Sequence, residues 1–155
     1  MNSNQISFGG TWMNWDLIKK SEKLKTDMEA VGLIIMQPFY EEYGMNFLKL
    51  SILTEASTVE NLTLNALSQS VGKATANMSV VVTTLVNDGY LKKVASAYDR
   101  RVTYIHITKK GNQIVEKSHK FLMDRYAQVM DDDDSEILEL IKAQEKYLAK
   151  LRQIK

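Results

Sequence analysis

The sequence predicts a mainly α-helical fold with one small β-hairpin, on three observations. Apolar residues recur at helical spacing along two long stretches, one near each end of the chain. Two shorter helical patterns meet at Gly72 in the middle. Two runs of β-type alternation flank a charged tip, Asp99-Arg100-Arg101.

Composition supports this. A chain of 155 residues is long enough for one domain with a sizeable core. Apolar residues make up 45%, and there is a single proline, Pro38, beside 7 glycines, a balance that favours long helices over disorder. The absence of cysteine excludes disulfides, thiol redox sensing and Cys-ligated zinc, and fits a reducing, cytoplasmic setting. The longest apolar run, Leu33-Ile34-Ile35-Met36, is far too short for a bilayer, so no membrane partner is expected. No basic region followed by an apolar block opens the chain, and no secretory signal is expected. Net charge is +1, unevenly spread. From Glu60 to Lys110 seven basic residues (Lys73, Lys92, Lys93, Arg100, Arg101, Lys109, Lys110) face three acidic ones (Glu60, Asp88, Asp99). A basic middle between more acidic flanks points that middle toward an anion.

The elements follow in order. Met1–Gly10 reads as a disordered arm. A helical pattern starts at Thr11 or Asn14, with Leu17, Leu24, Met28, Val31 and Ile35 spaced 7, 4, 3 and 4 apart to draw one apolar stripe. Pro38 kinks or ends it. A helix this long needs a packing partner, either the core or a second chain. Gly44 suits a C-cap and Asn46 an N-cap for the next helix, which carries Phe47, Leu48, Leu50, Ile52 and Leu53 to about Ala56. Ser57–Asn61 is a connector, with a short strand as an option. Thr63 caps a helix from Leu64 to Val71 that buries Leu64, Leu67 and Val71. After Gly72 a second short helix buries Ala74, Met78, Val81, Val82 and Leu85. Its other face shows Thr75, Ala76, Asn77, Ser79, Val80, Thr83 and Thr84.

Two short helices joined at a glycine form a helix-turn-helix. A solvent-facing helix usually carries Lys and Glu, and neither occurs from Ala74 to Asn87. Small side chains there let the helix lie deep in a groove and reach base edges. Asn87-Asp88-Gly89 ends it. Tyr90–Val94 and Val102–Ile107 form the hairpin, with Ile105 and Ile107 on one face and Tyr104 and His106 on the other. Arginine at a hairpin tip does little for a core and much for a polyanion. A long helix after Thr108 carries Ile114, Val115, Phe121, Leu122, Tyr126 and Val129. Asp131–Asp134 mark a turn, and Asp134 or Ser135 caps a last amphipathic helix with Ile137, Leu140, Ile141, Leu148 and Leu151. No repeat or linker divides the chain.

No catalytic constellation emerges. There is no glycine-rich phosphate loop and no Ser/His/Asp arrangement, so an enzyme is not expected. His106 falls on an exposed strand face. His119 has Glu116 one turn before it, but zinc needs three or four ligands, so neither a metal nor a cofactor is expected.

In this order of elements the chain resembles the MarR family of bacterial transcription regulators, from about residue 14 onward. The resemblance rests on Pro38 leading to Gly44-Met45-Asn46, on Leu67, Val71, Gly72, Ser79, Leu85 and Gly89 at the helix-turn-helix spacings, and on Asp99-Arg100-Arg101 followed by Ile107-Thr108 and Gly111. It implies a single domain, 1–155, in which 11–45 and 109–155 supply dimerisation helices around a winged helix-turn-helix lobe, 46–108. It also implies a homodimer on a pseudo-palindromic site in double-stranded DNA, acting as a repressor. Arg101 would reach the minor groove or its phosphates, Asp99 would hold the wing tip, and Arg100 and Lys73 would add charge. Thr75, Asn77, Ser79, Thr83 and Thr84 would face bases or phosphates. Val80 and Thr84 stand where many relatives carry basic residues, and Val80 would instead meet thymine methyl groups. A small-molecule effector is common in the family, and Trp12, Trp15, Tyr40, Tyr43 and Phe47 are the aromatic candidates for its pocket. The weakly charged recognition helix also leaves an alternative of another class, a winged-helix protein-interaction module without DNA binding.

Overall fold

A computed structural model describes residues 5–8, 11–72, 75–99, 101–128 and 135–153, with the backbone alone for 5–8, 11–13 and 151. It divides into two compact units, Met1–Lys120 and Phe121–Lys155. The first holds β1 (Gln5–Phe8), β2 (Thr11–Asn14), α1 (Trp15–Tyr43), α2 (Phe47–Thr58), β3 (Leu62–Thr63), α3 (Leu64–Val71), α4 (Thr75–Asn87), β4 (Leu91–Ala95) and β5 (Thr103–Ile107). α5 (Lys109–Tyr126) begins in the first unit and ends in the second, which also holds α6 (Ser135–Leu151). The expected class stands: mostly helix, with a small antiparallel sheet of order β3-β5-β4.

Local chemistry explains most boundaries. The Asn14 side chain accepts from the Asp16 and Leu17 amides at 3.1 and 3.3 Å and starts α1. Gly44, at φ 63°, ends it in the left-handed conformation that glycine takes at no steric cost. Asn46 accepts from the Lys49 amide at 2.8 Å to start α2, and Thr63 accepts from the Ala66 amide at 3.2 Å to start α3.

Three expectations change. Residues 5–8, read as part of a disordered arm, form β1 and pair antiparallel with β2, Phe8 opposite Thr11; residues 1–4 and 9–10 lie outside the described residues. Gly9-Gly10 between two short β-permissive runs is the sequence signal for that hairpin. Pro38 does not end α1, which runs on for another turn and more to Tyr43. Proline removes the donor to the carbonyl of Ile34, a residue on the exposed side of the helix, 72% accessible. Finally, α2 reaches Thr58 rather than Ala56, and the short strand follows the connector as Leu62–Thr63. The expected turn at Asp131–Asp134 lies outside the described residues, as do Ala74 and Val129.

The core of the first unit is built by Phe39, Ile52, Leu53, Leu62, Leu67, Met78, Val82, Leu85 and Leu91, all nearly inaccessible. Leu62 pairs with Ile105 and Leu91 with Ile107, so β5 is clamped on both sides. The apolar stripe of α1 divides. Met36, Phe39 and Tyr40 are buried, whereas Leu17, Leu24, Met28 and Val31 remain 44–64% exposed.

One junction ties helix-turn-helix, wing and α5 together. Gly89, at φ 77°, turns the chain out of α4. The Thr108 hydroxyl donates to the Gly89 carbonyl at 2.8 Å and accepts from the Gly111 amide at 3.1 Å, while the Thr108 amide donates to the Tyr90 carbonyl at 3.0 Å. Lys110 donates to the Asp88 carbonyl at 2.7 Å and lies 4.3 Å above the Tyr90 ring. A Cβ added at Gly111 would collide with the Tyr90 carbonyl oxygen and sit 2.6 Å from Cγ1 of Ile107. Gly111→Ala is therefore expected to lower unfolding free energy by about 1–3 kcal/mol, seen as a lower urea midpoint; an unchanged midpoint would refute the close approach.

Candidate nucleic-acid interface

α3 and α4 form the helix-turn-helix. Gly72, at φ 65°, ends α3, and Met78, Val82 and Leu85 bury one face of α4. The Thr75 hydroxyl donates to the Ser68 hydroxyl at 3.2 Å and ties the start of α4 back to α3. The outward face of α4 presents Ala76, Asn77, Val80, Thr83 and Thr84, with Ser79 half-buried at its edge. Val80 is 68% exposed.

The threonine hydroxyls of that face bond to their own helix. The Thr83 hydroxyl donates to the Ser79 carbonyl at 2.8 Å and the Thr84 hydroxyl to the Val80 carbonyl at 3.1 Å. Both threonines thus commit their protons to their own helix. Ala76, Val80 and the two threonine methyls leave a surface rich in methyl groups, and Asn77 is the one amide side chain exposed before Asn87.

The wing tip is organised by side chain to backbone bonds. Ser96 is buried, and its hydroxyl accepts from the Tyr98 and Asp99 amides at 3.2 and 3.3 Å. Asp99 then accepts from the Arg101 amide at 2.9 Å, from its Nε at 3.2 Å and from a terminal guanidinium nitrogen at 3.1 Å. The ladder closes through Val102, whose amide donates to the Asp99 carbonyl and whose carbonyl accepts from the Ser96 amide, each at 2.9 Å. The side chain of Arg101 stays 90% exposed, so the carboxylate fixes one side of the guanidinium and leaves the rest to solvent. Tyr98, outside the expected contact set, is fully exposed beside it; its place in a hairpin tip next to arginines is the signal that marks it. Lys73 and Arg100, both expected here, lie outside the described residues.

The aromatic candidates for an effector pocket are not brought together within one chain. Trp15 opens α1 and Tyr40 stands 25 residues along it, roughly 38 Å at 1.5 Å per residue. Trp15 lies half-exposed under Lys19, 5.7 Å from its Nζ. Tyr40 is buried, and burial raises its hydroxyl above the ordinary pKa. Tyr43 stacks on Phe39 at 4.6 Å and carries Lys117 at 4.8 Å, while Phe47 is 61% exposed. Trp12 falls in β2, where only the backbone is described. His106, expected on an exposed strand face, is half-buried, with its ring edge-on to Tyr104 at 6.4 Å. Among the described residues no three His, Asp or Glu side chains gather to hold a metal, and no helix is long and apolar enough to cross a membrane.

Comparison with known proteins matches this geometry. The sequence pattern of the SarA/Rot transcriptional regulators matches residues 34–118, just over half of the chain. No curated protein matches significantly. Among solved structures, the transcriptional regulator BldR from Sulfolobus solfataricus superposes with a TM-score of 0.75 at 18% identity, covering 89% of this chain and 99% of its own. FabT from Streptococcus pneumoniae, solved in complex with DNA, gives 0.69 at 20%, covering 89% and 99%. CouR from Rhodococcus jostii, bound to p-coumaroyl-CoA, gives 0.67 at 14%, covering 81% and 89%. At these identities the structures speak for the fold, the winged helix of MarR-type regulators.

The Asp99 carboxyl titrates below its ordinary 3.8, first because of the Arg101 guanidinium and then because of the Arg101 amide. A lowered folded value means that the wing contact is fully present above 3.8 and is lost as pH falls through the lowered value. Carboxyl NMR is expected to place Asp99 below 3.8, with Arg101→Ala moving it upward; a wild-type value at or above 3.8 would contradict the contact.

Proposed function

The chain belongs to the SarA/Rot family of transcriptional regulators, and on that premise we propose that it works as a cytoplasmic homodimer on a pseudo-palindromic DNA site. Each subunit lays α4 in a major groove and its wing along the adjacent minor groove. Bound there it represses by occupying the site. The observation that carries this reading is the wing tip: an arginine held on one side by Asp99 and otherwise open, on the same compact unit as the exposed, uncharged face of α4. Arginine suits the narrow minor groove, where negative potential is concentrated. The neighbour FabT was solved with DNA on the same fold.

In this reading residues 46–108 form the DNA-binding lobe, while 11–45 and 109–155 build the dimer. Exposed Leu17, Leu24, Met28 and Val31 on α1, and Leu140, Ile141 and Leu148 on α6, supply its apolar contacts. An effector that releases the DNA would bind among Trp12, Trp15, Tyr40, Tyr43 and Phe47, with aromatics of both chains of the dimer meeting there, since Trp15 and Tyr40 stand far apart along α1. CouR holds p-coumaroyl-CoA on a similar fold.

The uncharged α4 also favours a second reading, a protein-interaction module without DNA binding. Selection of bound genomic fragments with the purified protein decides between them and returns the site. For the selected fragment, Arg101→Ala is expected to weaken binding roughly tenfold at matched salt with the circular dichroism spectrum unchanged. Equal affinity would remove the wing from the interface. Wild-type affinity is expected to fall with a log–log salt slope of about −0.9 per phosphate neutralised, and a flat response would favour the protein-interaction reading. Sedimentation is expected to give a dimer for the wild type and a shift to monomer for Leu24→Glu and Leu148→Glu; a monomeric wild type would refute the assembly.

A further inference from the structure

We propose that Lys93, with the hydroxyls of Ser79 and Thr103, forms a seat for one DNA backbone phosphate in the cleft between α4 and the wing. The inference rests on the DNA-binding reading and adds a contact that neither the charged wing tip nor the groove-facing side of α4 supplies.

The cleft has a volume of about 170 Å³ and is lined by Leu64, Ser79, Val82, Lys93, Thr103 and Ile105. Its floor is apolar: Val82 and Ile105 belong to the core. Its rim carries one cation and two hydroxyls, and no lining residue is a carboxylate. Strand register explains the convergence. Lys93 pairs with Ile105 and Ala95 with Thr103, so by alternation Lys93, Thr103 and Ile105 share the face of the wing turned toward α4. Ser79 meets them from the edge of α4. Lys93 is exposed and makes no ion pair among the described residues, and the Ser79 and Thr103 hydroxyls make no hydrogen bond among them. Three donors from three elements, α4, β4 and β5, therefore line an apolar floor without partners among the described residues.

An anion fits that pattern, and the interface dictates which one. A strand passing from the major groove under α4 to the minor groove under the wing must cross the space between them. Lys acts on phosphate as a compact point charge, and Ser and Thr donate to phosphate oxygens. α4 carries no basic residue from Thr75 to Asn87, so a phosphate beside it has to be neutralised from a neighbouring element. Lys93 is the cation the fold places there.

The test is a salt titration of fluorescein-labelled duplex binding by anisotropy, with wild type, Lys93→Gln, Lys93→Arg and Thr103→Val. Two duplexes are used, the selected fragment and one of unrelated mixed sequence. Lys93→Gln is expected to weaken both by the same factor, on the order of tenfold at low salt, and to flatten the log–log slope by about 0.9 per subunit. Lys93→Arg restores most of the slope, and Thr103→Val produces a smaller loss in both duplexes. A single uncharged methylphosphonate, scanned along the selected fragment, is expected to find one position per half-site that weakens wild type but not Lys93→Gln. Thermal midpoints within error of wild type certify that the exposed substitutions leave the fold intact; were Lys93→Gln misfolded, Lys93→Arg and the methylphosphonate scan of wild type still decide. Wild-type slope and affinity in Lys93→Gln, with wild type binding normally, overturn the phosphate seat alone. Absence of salt-dependent binding in wild type overturns the DNA reading and the seat with it.

Discussion

The close approach of Gly111 to Tyr90 is the constraint on which the DNA-binding lobe depends. At that point the end of α4, the first strand of the wing, its last strand and the start of α5 come within one residue of each other. Thr108 closes the knot with one hydroxyl, donating to Gly89 and accepting from Gly111. The space that a Cβ would need is occupied by backbone, which cannot rotate away as a side chain can. The end of α4 and the wing are thus joined at this junction by the hydrogen bonds of Thr108, Lys110 and Gly111, away from the wing tip that carries the charge. That gives a physical reason for Ile107-Thr108 and Gly111 to be part of the resemblance. Those residues hold the reader's two parts at a fixed separation, whatever sequence each part reads.

Most of the lobe was legible because its signals are local. Asn46, Thr63, Gly44, Gly72 and Gly89 act within a turn of their own positions, and each caps or ends the element its residue type suggested. The 3.6-residue period separated buried Met78, Val82 and Leu85 from exposed Ala76, Asn77 and Val80 without help from tertiary structure. What failed to show was anything decided by rotamer or by a competing partner. Threonine on an exposed helix face reads as a free hydroxyl, but the nearest acceptor is the carbonyl four residues back, and Thr83 and Thr84 both take it. Pro38 reads as a kink or a stop, and the helix continues through it to Tyr43. The cleft at Lys93 was equally hidden, because alternation puts a residue on a face but does not say what stands opposite.

The exposed apolar residues of α1 make a different point. Fully burying a side chain such as Leu or Val contributes about 1.5–3 kcal/mol. Leu17, Leu24, Met28 and Val31 forgo most of that within one chain, while Met36, Phe39 and Tyr40, on the same helix, do not. A single helix thus serves two purposes: its C-terminal part belongs to the core of the lobe and its N-terminal part offers a surface. α6 repeats the second case, with Leu140, Ile141 and Leu148 all between 44 and 46% exposed. Anything that covers the N-terminal part of α1 is mechanically connected to the lobe through one continuous 29-residue helix. In the proposed dimer, that continuous helix would couple assembly to DNA reading.

The division of charge between α4 and its neighbours has a consequence for how sequence and affinity are separated. In the proposed interface, methyl contacts to thymine and one amide at Asn77 would discriminate bases but release few counterions, so their contribution would change little with salt. Arg101 and Lys93, as proposed phosphate contacts, would carry no base code, and their contribution would fall as salt rises. In a protein with basic residues along its recognition helix the two effects are mixed in the same side chains. In the proposed interface they sit on different elements, α4 for discrimination and β4 with the wing tip for grip. Raising salt should then strip affinity from cognate and unrelated DNA in parallel, leaving their ratio nearly constant. In the DNA-binding reading the uncharged helix relocates the electrostatics to the wing, where the junction at Gly111 keeps them in register with the helix they serve.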